Sequence, residues 1–297
     1  MIRLEHIVKS FRRIQAVADV SFTVRPGTIT ILTGADGAGK STLFKIIIGL
    51  VKQDAGAVFL NDKELKGDFS PITSIAGYMP ERFSLYTDLT VEENLNFFAA
   101  IHHVERRRRE ELKQKLLQTT GMLPFKKRRA GALSGGMKQK LALSTILLAS
   151  PQLIILDEPT TGVDPLSRIE FFAIIEELKR EGKTILISTP YLDEAEKGDF
   201  VIFIKNGRVI RQDGIASLKK NFPARIWRIT PKGNPFAILE KAAADPELRR
   251  NLLLRGQYLK FLQTDPAARL PAIPHLEIRE EKATLEDIYI YYERQAP

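Results

Sequence analysis

A glycine-rich segment, GADGAGKST from Gly34 to Thr42, constrains the fold of this sequence more than any other feature. It matches the spacing G-x-x-x-x-G-K-[ST], follows the apolar run TITILT and precedes the helical pattern FKIIIGL. A strand, a glycine-rich turn and a helix in this order direct backbone N–H groups and the positive end of the helix toward an anion. We therefore predict a phosphate-binding loop formed by Gly34, Ala35, Asp36, Gly37, Ala38, Gly39, Lys40, Ser41 and Thr42.

Other apolar runs indicate the sheet to which this loop belongs. LIILD at residues 153–157 and KTILIS at 183–188 are unbroken, as is typical of strands buried on both faces of a parallel sheet. Between them, DPLSRIEFFAIIEELKREG predicts a helix that Asp164 caps, Pro165 starts and Gly182 ends. The order of strand, helix and strand predicts an α/β core with a mostly parallel sheet.

Two regions depart from the strand and helix alternation. From Asp88 onward the pattern is helical and charged, which predicts a helical subdomain at about residues 88–150 inserted into the core. The stretch NFPARIWRITPKGNP at 221–235 holds three prolines and the only tryptophan, and it indicates a domain boundary. We expect a first domain at residues 1–221 and a small C-terminal accessory domain at 222–297, serving regulation or dimer packing.

A carboxylate pair, Asp157 and Glu158, ends one of the predicted strands. Open parallel sheets bind ligands at this edge, so Asp157 is placed to hold Mg²⁺ and Glu158 to activate an attacking water as general base. In the glycine-rich segment, Lys40 reaches the β- and γ-phosphates and Ser41 is a Mg²⁺ ligand. ATP and Mg²⁺ are the predicted ligands; a plain glycine turn and a surface carboxylate pair are the alternatives.

A second glycine pair opens a long amphipathic helix in ALSGGMKQKLALSTILLAS, residues 132–150. Ser134, Gly135 and Gly136 form another helix start that suits an anion. One nucleotide rarely needs two such sites in one chain. We therefore predict that these residues contact ATP bound by a second subunit in a head-to-tail dimer; a simply capped helix is the alternative.

Together these motifs resemble the ATP-binding subunits of ABC transporters, over about residues 2–222. GADGAGKST resembles the Walker A motif, LIILDE the Walker B motif, LSGGM the LSGGQ signature and TGVD the D-loop. The resemblance implies a P-loop NTPase fold of the ABC ATPase type. It also implies that Phe11 lies under the adenine ring and that Asp164 joins the contacts to the second ATP. Glu81 replaces a glutamine that meets Mg²⁺ and the attacking water, and we predict that its carboxylate is a Mg²⁺ ligand.

The resemblance extends to the tail, because ATLEDIYIYYER at residues 283–294 is similar to the T-L-E-D-[VI]-[FY] ending of bacterial exporter ATPases. The segments LSGGMKQKLAL and TPYLDEAE resemble the multidrug branch of these exporters. This implies a separate membrane permease, a second nucleotide-binding subunit that is identical or different, and a peripheral location at the cytoplasmic face of the inner membrane.

The most consequential departure from the family is Pro190, at the position of a histidine that contacts the γ-phosphate. Proline has no side-chain donor, and losing one preorganised donor costs about 2.7–4 kcal/mol in the transition state. Tyr191 is adjacent, but successive side chains of an extended chain point opposite ways. Met137 replaces the signature glutamine with a mild expected effect. Since Glu158 is present, we predict a slow but real ATPase.

Two other functions remain open from the sequence. A nucleotide-gated binding module with little hydrolysis is favoured by Pro190 and opposed by Glu158. A relative that acts on nucleic acid or ribosomes would use the net charge of +9 and the basic segments ERRRREELK and FKKRRAG. Those segments suit a solvated helical face better, and no nucleic-acid partner is expected. The sequence contains no cysteine, which excludes disulfides and thiolate metal sites.

Overall fold

The computed structural model of the chain describes residues 1–82, 85–242, 246–265, 270, 273 and 275–295. It divides into two compact units, Met1–Asp213 and Gly214–Pro297. The second unit begins before the boundary predicted at residue 222, because a helix at Ile215–Lys220 belongs to it. Over the described residues, none of the helices combines the length and the hydrophobicity needed to cross a bilayer.

The first unit contains two sheets. Its strands are β1 (Ile2–Phe11), β2 (Ile14–Val24), β3 (Ile29–Thr33), β4 (Ala55–Leu60), β5 (Lys63–Glu64), β6 (Ala76–Met79), β7 (Leu153–Asp157), β8 (Thr184–Thr189), β9 (Phe200–Lys205) and β10 (Arg208–Gly214). One sheet has the order β2-β1-β4-β5 and is antiparallel. The other has the order β10-β9-β3-β8-β7-β6, and β9, β3, β8, β7 and β6 run parallel.

The parallel sheet is the layer that carries the chemistry-bearing motifs. Every residue of β3, β7 and β8 is buried, which confirms the interpretation of these apolar runs as strands covered on both faces. The register pairs Asp157 with Ser188, and Thr33 with Thr189. The carboxyl ends of β3, β7 and β8 therefore lie side by side at one edge of the sheet.

Helices of the first unit follow the predicted pattern. They are α1 (Lys40–Ile47), α2 (Ser70–Thr73), α3 (Val91–Ile101), α4 (Arg106–Thr119), α5 (Gly135–Leu147), α6 (Pro165–Arg180) and α7 (Leu192–Ala195). Helix α6 is capped by Asp164 and carries Pro165 in its first turn, as predicted. A left-handed Gly182 (φ 83°) follows its end. Helices α3, α4 and α5 account for the helical, charged stretch of the sequence.

The second unit is an antiparallel sheet with its own hydrophobic core. Its elements are α8 (Ile215–Lys220), β11 (Arg225–Pro231), α9 (Pro235–Ala242), α10 (Pro246–Asn251), β12 (Leu252–Arg255), β13 (Tyr258–Gln263), β14 (His275–Glu281) and α11 (Leu285–Gln295), and the strand order is β12-β13-β11-β14. Ile229, Leu259 and Phe261 are buried at its centre.

The T-L-E-D segment of the tail begins α11 and has a structural role. Asp287 is fully buried, and its carboxylate accepts hydrogen bonds from the Thr284 N–H (3.0 Å) and hydroxyl (2.7 Å). The Lys260 ammonium of β13 donates to the same carboxylate at 2.9 Å. The segment thus caps α11 and ties it to the sheet through a buried ion pair.

Breaking this ion pair is expected to destabilise the protein. Asp287→Asn keeps a capping side chain but leaves the Lys260 charge buried without a partner, which typically costs about 3–5 kcal/mol. Thermal or urea unfolding measures the loss. Adding Lys260→Met removes the uncompensated charge, so the double variant will recover much of the stability. If Asp287→Asn unfolds like the wild type, the pair contributes nothing.

Candidate functional site

The glycine-rich segment joins β3 to α1 with a backbone that only glycine adopts readily. Gly37 (φ 77°) and Gly39 (φ 102°) both lie in the left-handed region. A Cβ at Gly39 would also collide with the carbonyl oxygen of Ala16 in β2, and one at Gly34 with that of Ile204 in β9. The neighbouring strands β2 and β9 therefore pack closely against the loop and fix its backbone conformation.

Lys40 is held inside the loop. Its side chain is 3% exposed, and Nζ donates to the carbonyl oxygens of Gly34 (2.9 Å) and Ala35 (3.1 Å). The same nitrogen lies 3.1 Å from Oε1 of Glu158. The ammonium and the carboxylate predicted to serve the phosphates and the attacking water thus meet at one point.

Ser41 and Asp157, which the sequence proposes as magnesium ligands, are hydrogen-bonded to each other. The Ser41 hydroxyl donates to Oδ1 of Asp157 at 3.0 Å. Oxygen ligands of this kind suit Mg²⁺, which keeps several waters and takes few protein ligands beside the phosphates. Within the described ranges, no group of three or more His, Cys, Asp or Glu side chains could hold a metal unaided. The donor set fits a magnesium ion that binds together with a nucleotide.

Ser188 orients both carboxylate residues, and the sequence reasoning did not identify it. Its hydroxyl donates to Oδ1 of Asp157 at 2.6 Å and accepts from the Glu158 N–H at 2.9 Å. Glu158 has a left-handed backbone (φ 48°), which is strained for a residue with a side chain. Its Oε2 accepts a hydrogen bond from Thr161 at 3.2 Å. The strained turn aims the Glu158 side chain back over the loop.

Lys40, Ser41, Glu158 and Thr161 line one cavity of about 400 Å³ at the carboxyl edge of the parallel sheet, whereas Asp157 and Ser188 lie outside its lining. Its walls are Ala16, Asp36, Gly37, Gly39, Lys40, Ser41, Thr42, Glu81, Glu158 and Thr161. Most were predicted from the sequence, whereas Ala16 and Thr161 were not. Gly34, Ala35 and Ala38 belong to the loop but lie outside this lining. Phe11 also lies outside it and is 46% exposed at the end of β1.

Tyr78 of β6 is another residue beside the site that the sequence did not reveal. Burial raises the pKa of Tyr78, and the negative charges of Asp157 and Glu81 raise it further. The phenol therefore stays neutral at physiological pH and adds no charge next to the carboxylates.

The predicted trans-acting residues form a separate cluster. Ser134 caps α5 by accepting from the Met137 N–H (3.3 Å), and Asp164 caps α6 by accepting from the Ser167 N–H (2.9 Å). A Cβ at Gly136 would strike the Ser167 side chain, so the two helix starts are packed against each other. The Ser167 N–H also lowers the pKa of Asp164, which is fully exposed. None of these residues lines the phosphate cavity.

Pro190 follows β8 and is flanked by two side chains that turn away from the cavity. The Thr189 hydroxyl donates to Glu194 at 2.6 Å, and the Tyr191 ring lies 4.2 Å from the guanidinium of Arg168. Arg168 also donates through Nε to Glu194 at 2.8 Å. The Tyr191 ring therefore packs on Arg168 of α6 and does not line the cavity. This agrees with the expectation that Tyr191 does not replace the histidine.

Comparison with known proteins defines the class to which this site belongs. The ABC transporter family matches residues 17–161. YxlF of Bacillus subtilis (strain 168), an uncharacterized ABC transporter ATP-binding protein, is 32% identical and covers 78% of this chain and 77% of its own length. The chain belongs to the ATP-binding proteins of ABC transporters.

Within that family, the chain is similar to a protein named for multidrug transport. YbhF of Escherichia coli (strain K12), a probable multidrug ABC transporter ATP-binding protein, is 37% identical over 282 residues, which are 93% of this chain and 48% of YbhF. The chain thus spans about half the length of that relative. A dimeric, post-hydrolysis structure of the ATP-binding cassette MJ0796 with ADP and Pi is 25% identical, covers 72% of this chain and 99% of that one, and has a TM-score of 0.65. The predicted P-loop fold of the ABC ATPase type is confirmed.

Proposed function

We propose that this protein binds and hydrolyses ATP and thereby powers export through a separate membrane permease. The observation that carries the proposal is the meeting of Lys40, Ser41 and Glu158 in one cavity, with Asp157 hydrogen-bonded to Ser41. Electrostatic stabilisation and a general base are the two contributions that phosphoryl transfer to water requires from a protein. This cavity supplies both.

In the proposed reaction, Lys40 neutralises charge on the β- and γ-phosphates and the loop N–H groups fix their position. Ser41 and Asp157 would hold Mg²⁺, which neutralises phosphate charge when it is bound. Glu158 accepts a proton from the water that attacks the γ-phosphorus, while Ser188 holds its backbone N–H and Thr161 its carboxylate. Binding of phosphate oxygens by Lys40 competes with its contact to Glu158 and frees that base.

The proposed active unit is a head-to-tail dimer. The start of α5, with Ser134, Gly135 and Gly136, and Asp164 of the D-loop lie outside the phosphate cavity of their own chain. A helix start with free N–H groups suits the phosphates of an ATP molecule held by a second subunit. The likeness to a dimeric cassette structure with ADP and Pi supports this arrangement. The second subunit is a copy of this chain or a different ATP-binding chain.

A permease is the proposed membrane partner, and α3 with its preceding loop is the proposed contact surface. Tyr86, Phe97 and Ile101 are exposed there by 46%, 37% and 52%, although all are large and apolar. The Tyr86 ring meets Phe97 edge-on at 4.4 Å, and its backbone N–H and carbonyl are both bonded to Asn94. A preformed aromatic patch suits the docking of an apolar protein segment. The protein then lies peripherally at the cytoplasmic face of the inner membrane.

The substrate class follows only from similarity to YbhF, whose name points to multidrug transport. We propose export of apolar, drug-like molecules. The second candidate function, a nucleotide-gated module with little hydrolysis, is favoured by Pro190, which offers no donor to a γ-phosphate.

Steady-state ATPase activity of the purified full chain tests the proposal. Turnover that requires Mg²⁺ and disappears in Lys40→Ala is expected. Nucleotide binding without turnover in the wild type, alone and with its permease, would instead favour the gated module. Strong, salt-dependent binding to DNA or RNA would favour the nucleic-acid function that the sequence left open.

A further inference from the structure

A second polar cavity, of about 460 Å³, lies within the second unit, where α10, β13 and α11 converge. Its lining consists of Arg250, Asn251, Leu262, Thr264, Tyr291, Arg294 and Gln295. Two of these side chains are guanidiniums, and none of the lining residues that the structure describes carries a carboxylate. A cavity with that composition is electropositive, and nothing in the proposed ATPase reaction uses it.

The two arginines of this cavity have different surroundings from the other arginines of the unit. Arg228, Arg255 and Arg279 each form an ion pair with a glutamate. Among the described residues, Nη1 of Arg294 is buried and has no hydrogen-bond partner. Arg250 donates through Nη2 to the Arg294 carbonyl oxygen at the long distance of 3.4 Å. Both guanidiniums therefore retain donors for a further acceptor.

Positive charge is concentrated at this point at an energetic cost. Burial lowers the pKa of Arg294; the negative charge of Glu293 opposes this shift, and the positive charges of Arg250 and Arg255 add to it. Like charges that are held together and partly buried oppose folding unless an anion compensates them. A bound anion would remove this cost.

We propose that this cavity binds a phosphate group carried by a small molecule or a lipid headgroup. A phosphate monoester carries a charge of about −1.5 to −2 at pH 7, which matches two guanidiniums better than a single carboxylate does. The planar forks of Arg250 and Arg294 suit bidentate contacts to phosphate oxygens. Thr264, Asn251 and Tyr291 supply neutral donors around them, and the Tyr291 ring is fixed by edge-on contacts with Phe222 and Tyr292. Ligand binding here would let the accessory unit sense a metabolite or the membrane surface.

The test uses the full chain carrying Lys40→Ala, so that phosphate binding at the ATP site does not interfere. Equilibrium dialysis with inorganic phosphate and with glycerol phosphate is expected to show a single saturable site. Arg294→Gln and Arg250→Gln in this background will each weaken binding roughly tenfold or more, since each removes charge-assisted hydrogen bonds. Flotation with phosphatidylcholine vesicles, with and without phosphatidic acid, identifies a lipid source.

The matched control is Arg279→Gln, which removes the same charge from the exposed strand β14 and will leave phosphate binding unchanged. Saturable binding of glycerol phosphate supports a soluble ligand. If the protein floats with phosphatidic acid vesicles and Arg250→Gln abolishes this flotation, the ligand is a lipid headgroup. Equal binding by all three variants, or no saturable binding of any probe, overturns the proposal. Arg250 is exposed, so Arg250→Gln is expected to fold normally. Its phosphate binding therefore tests the proposal even if Arg294→Gln unfolds. The ATPase proposal is unaffected by either result.

Discussion

Glu158→Gln is expected to lower the steady-state rate of ATP hydrolysis by roughly 10²–10⁴-fold while leaving ATP binding intact, because it removes only a general base. The glutamine is nearly isosteric and still accepts the Thr161 hydrogen bond at its oxygen. It cannot take the proton of the attacking water. It also ends the ion pair with Lys40, so affinity for the phosphates is expected to be maintained or increased.

The matched control for this variant is Glu81→Gln, the same chemical change at another carboxylate of the cavity. It is expected to retain turnover, because glutamine is the residue that the family resemblance assigns to this position. Phosphate release is measured for both variants beside the wild type, with nucleotide binding measured separately. If Glu158→Gln turns over as fast as the wild type, another group is the base and the assignment of Glu158 is wrong.

A size measurement follows from the same substitution. An ATP-bound dimer that cannot hydrolyse its nucleotide should accumulate, so light scattering is expected to show Glu158→Gln shifting to twice its mass when ATP is added. Ser134, Gly135 and Asp164 are exposed at the surface through which that dimer would form. A variant that binds ATP and stays monomeric at all protein concentrations would exclude a head-to-tail dimer of two copies of this chain and leave a different ATP-binding chain as the second subunit.

Local motifs made the phosphate loop and the two carboxylates predictable, because strand, glycine turn and helix fix their geometry within a few residues. Ser188 could have been included, since KTILIS ends in a hydroxyl at the same sheet edge as Asp157. Ala16 could not, because its carbonyl reaches Gly39 only through the packing of β2 against the loop.

Contacts between distant segments explain what else the sequence did not predict. Glu194, 2% exposed, accepts hydrogen bonds from Thr160 (2.7 Å), Thr189 (2.6 Å) and Arg168 (2.8 Å). Thr189 lies in β8, Arg168 in α6 and Thr160 just after β7. No local sequence pattern predicts that these three residues contact the same carboxylate. Likewise, the sequence showed the T-L-E-D segment only as an ending similar to that of the family. The structure shows that its aspartate, Asp287, forms a buried ion pair with Lys260 of strand β13, which no local pattern predicts.

Replacing Pro190 with histidine is expected to raise the hydrolysis rate, on the order of 10²-fold, because it adds one preorganised donor near the developing charge. Position 190 follows the end of β8 directly and lies two residues after Ser188, whose hydroxyl contacts both Asp157 and the Glu158 N–H. Its neighbours Thr189 and Tyr191 contact Glu194 and Arg168 instead of the cavity. A histidine at 190 would therefore face the γ-phosphate side without disturbing that network.

Pro190→Ala distinguishes the effect of a side-chain donor from the effect of a freer backbone. It removes the proline ring and restores an N–H without adding a side-chain donor. The expected order of turnover is Pro190→His well above Pro190→Ala, which stays close to the wild type. Equal acceleration by both variants would assign the effect to backbone freedom rather than to the imidazole. If neither variant is faster, chemistry at the γ-phosphate does not limit turnover, and a partner subunit or the permease must set the rate. Adding Glu158→Gln to Pro190→His is expected to abolish the gain, because a histidine that stabilises the transition state still depends on the general base.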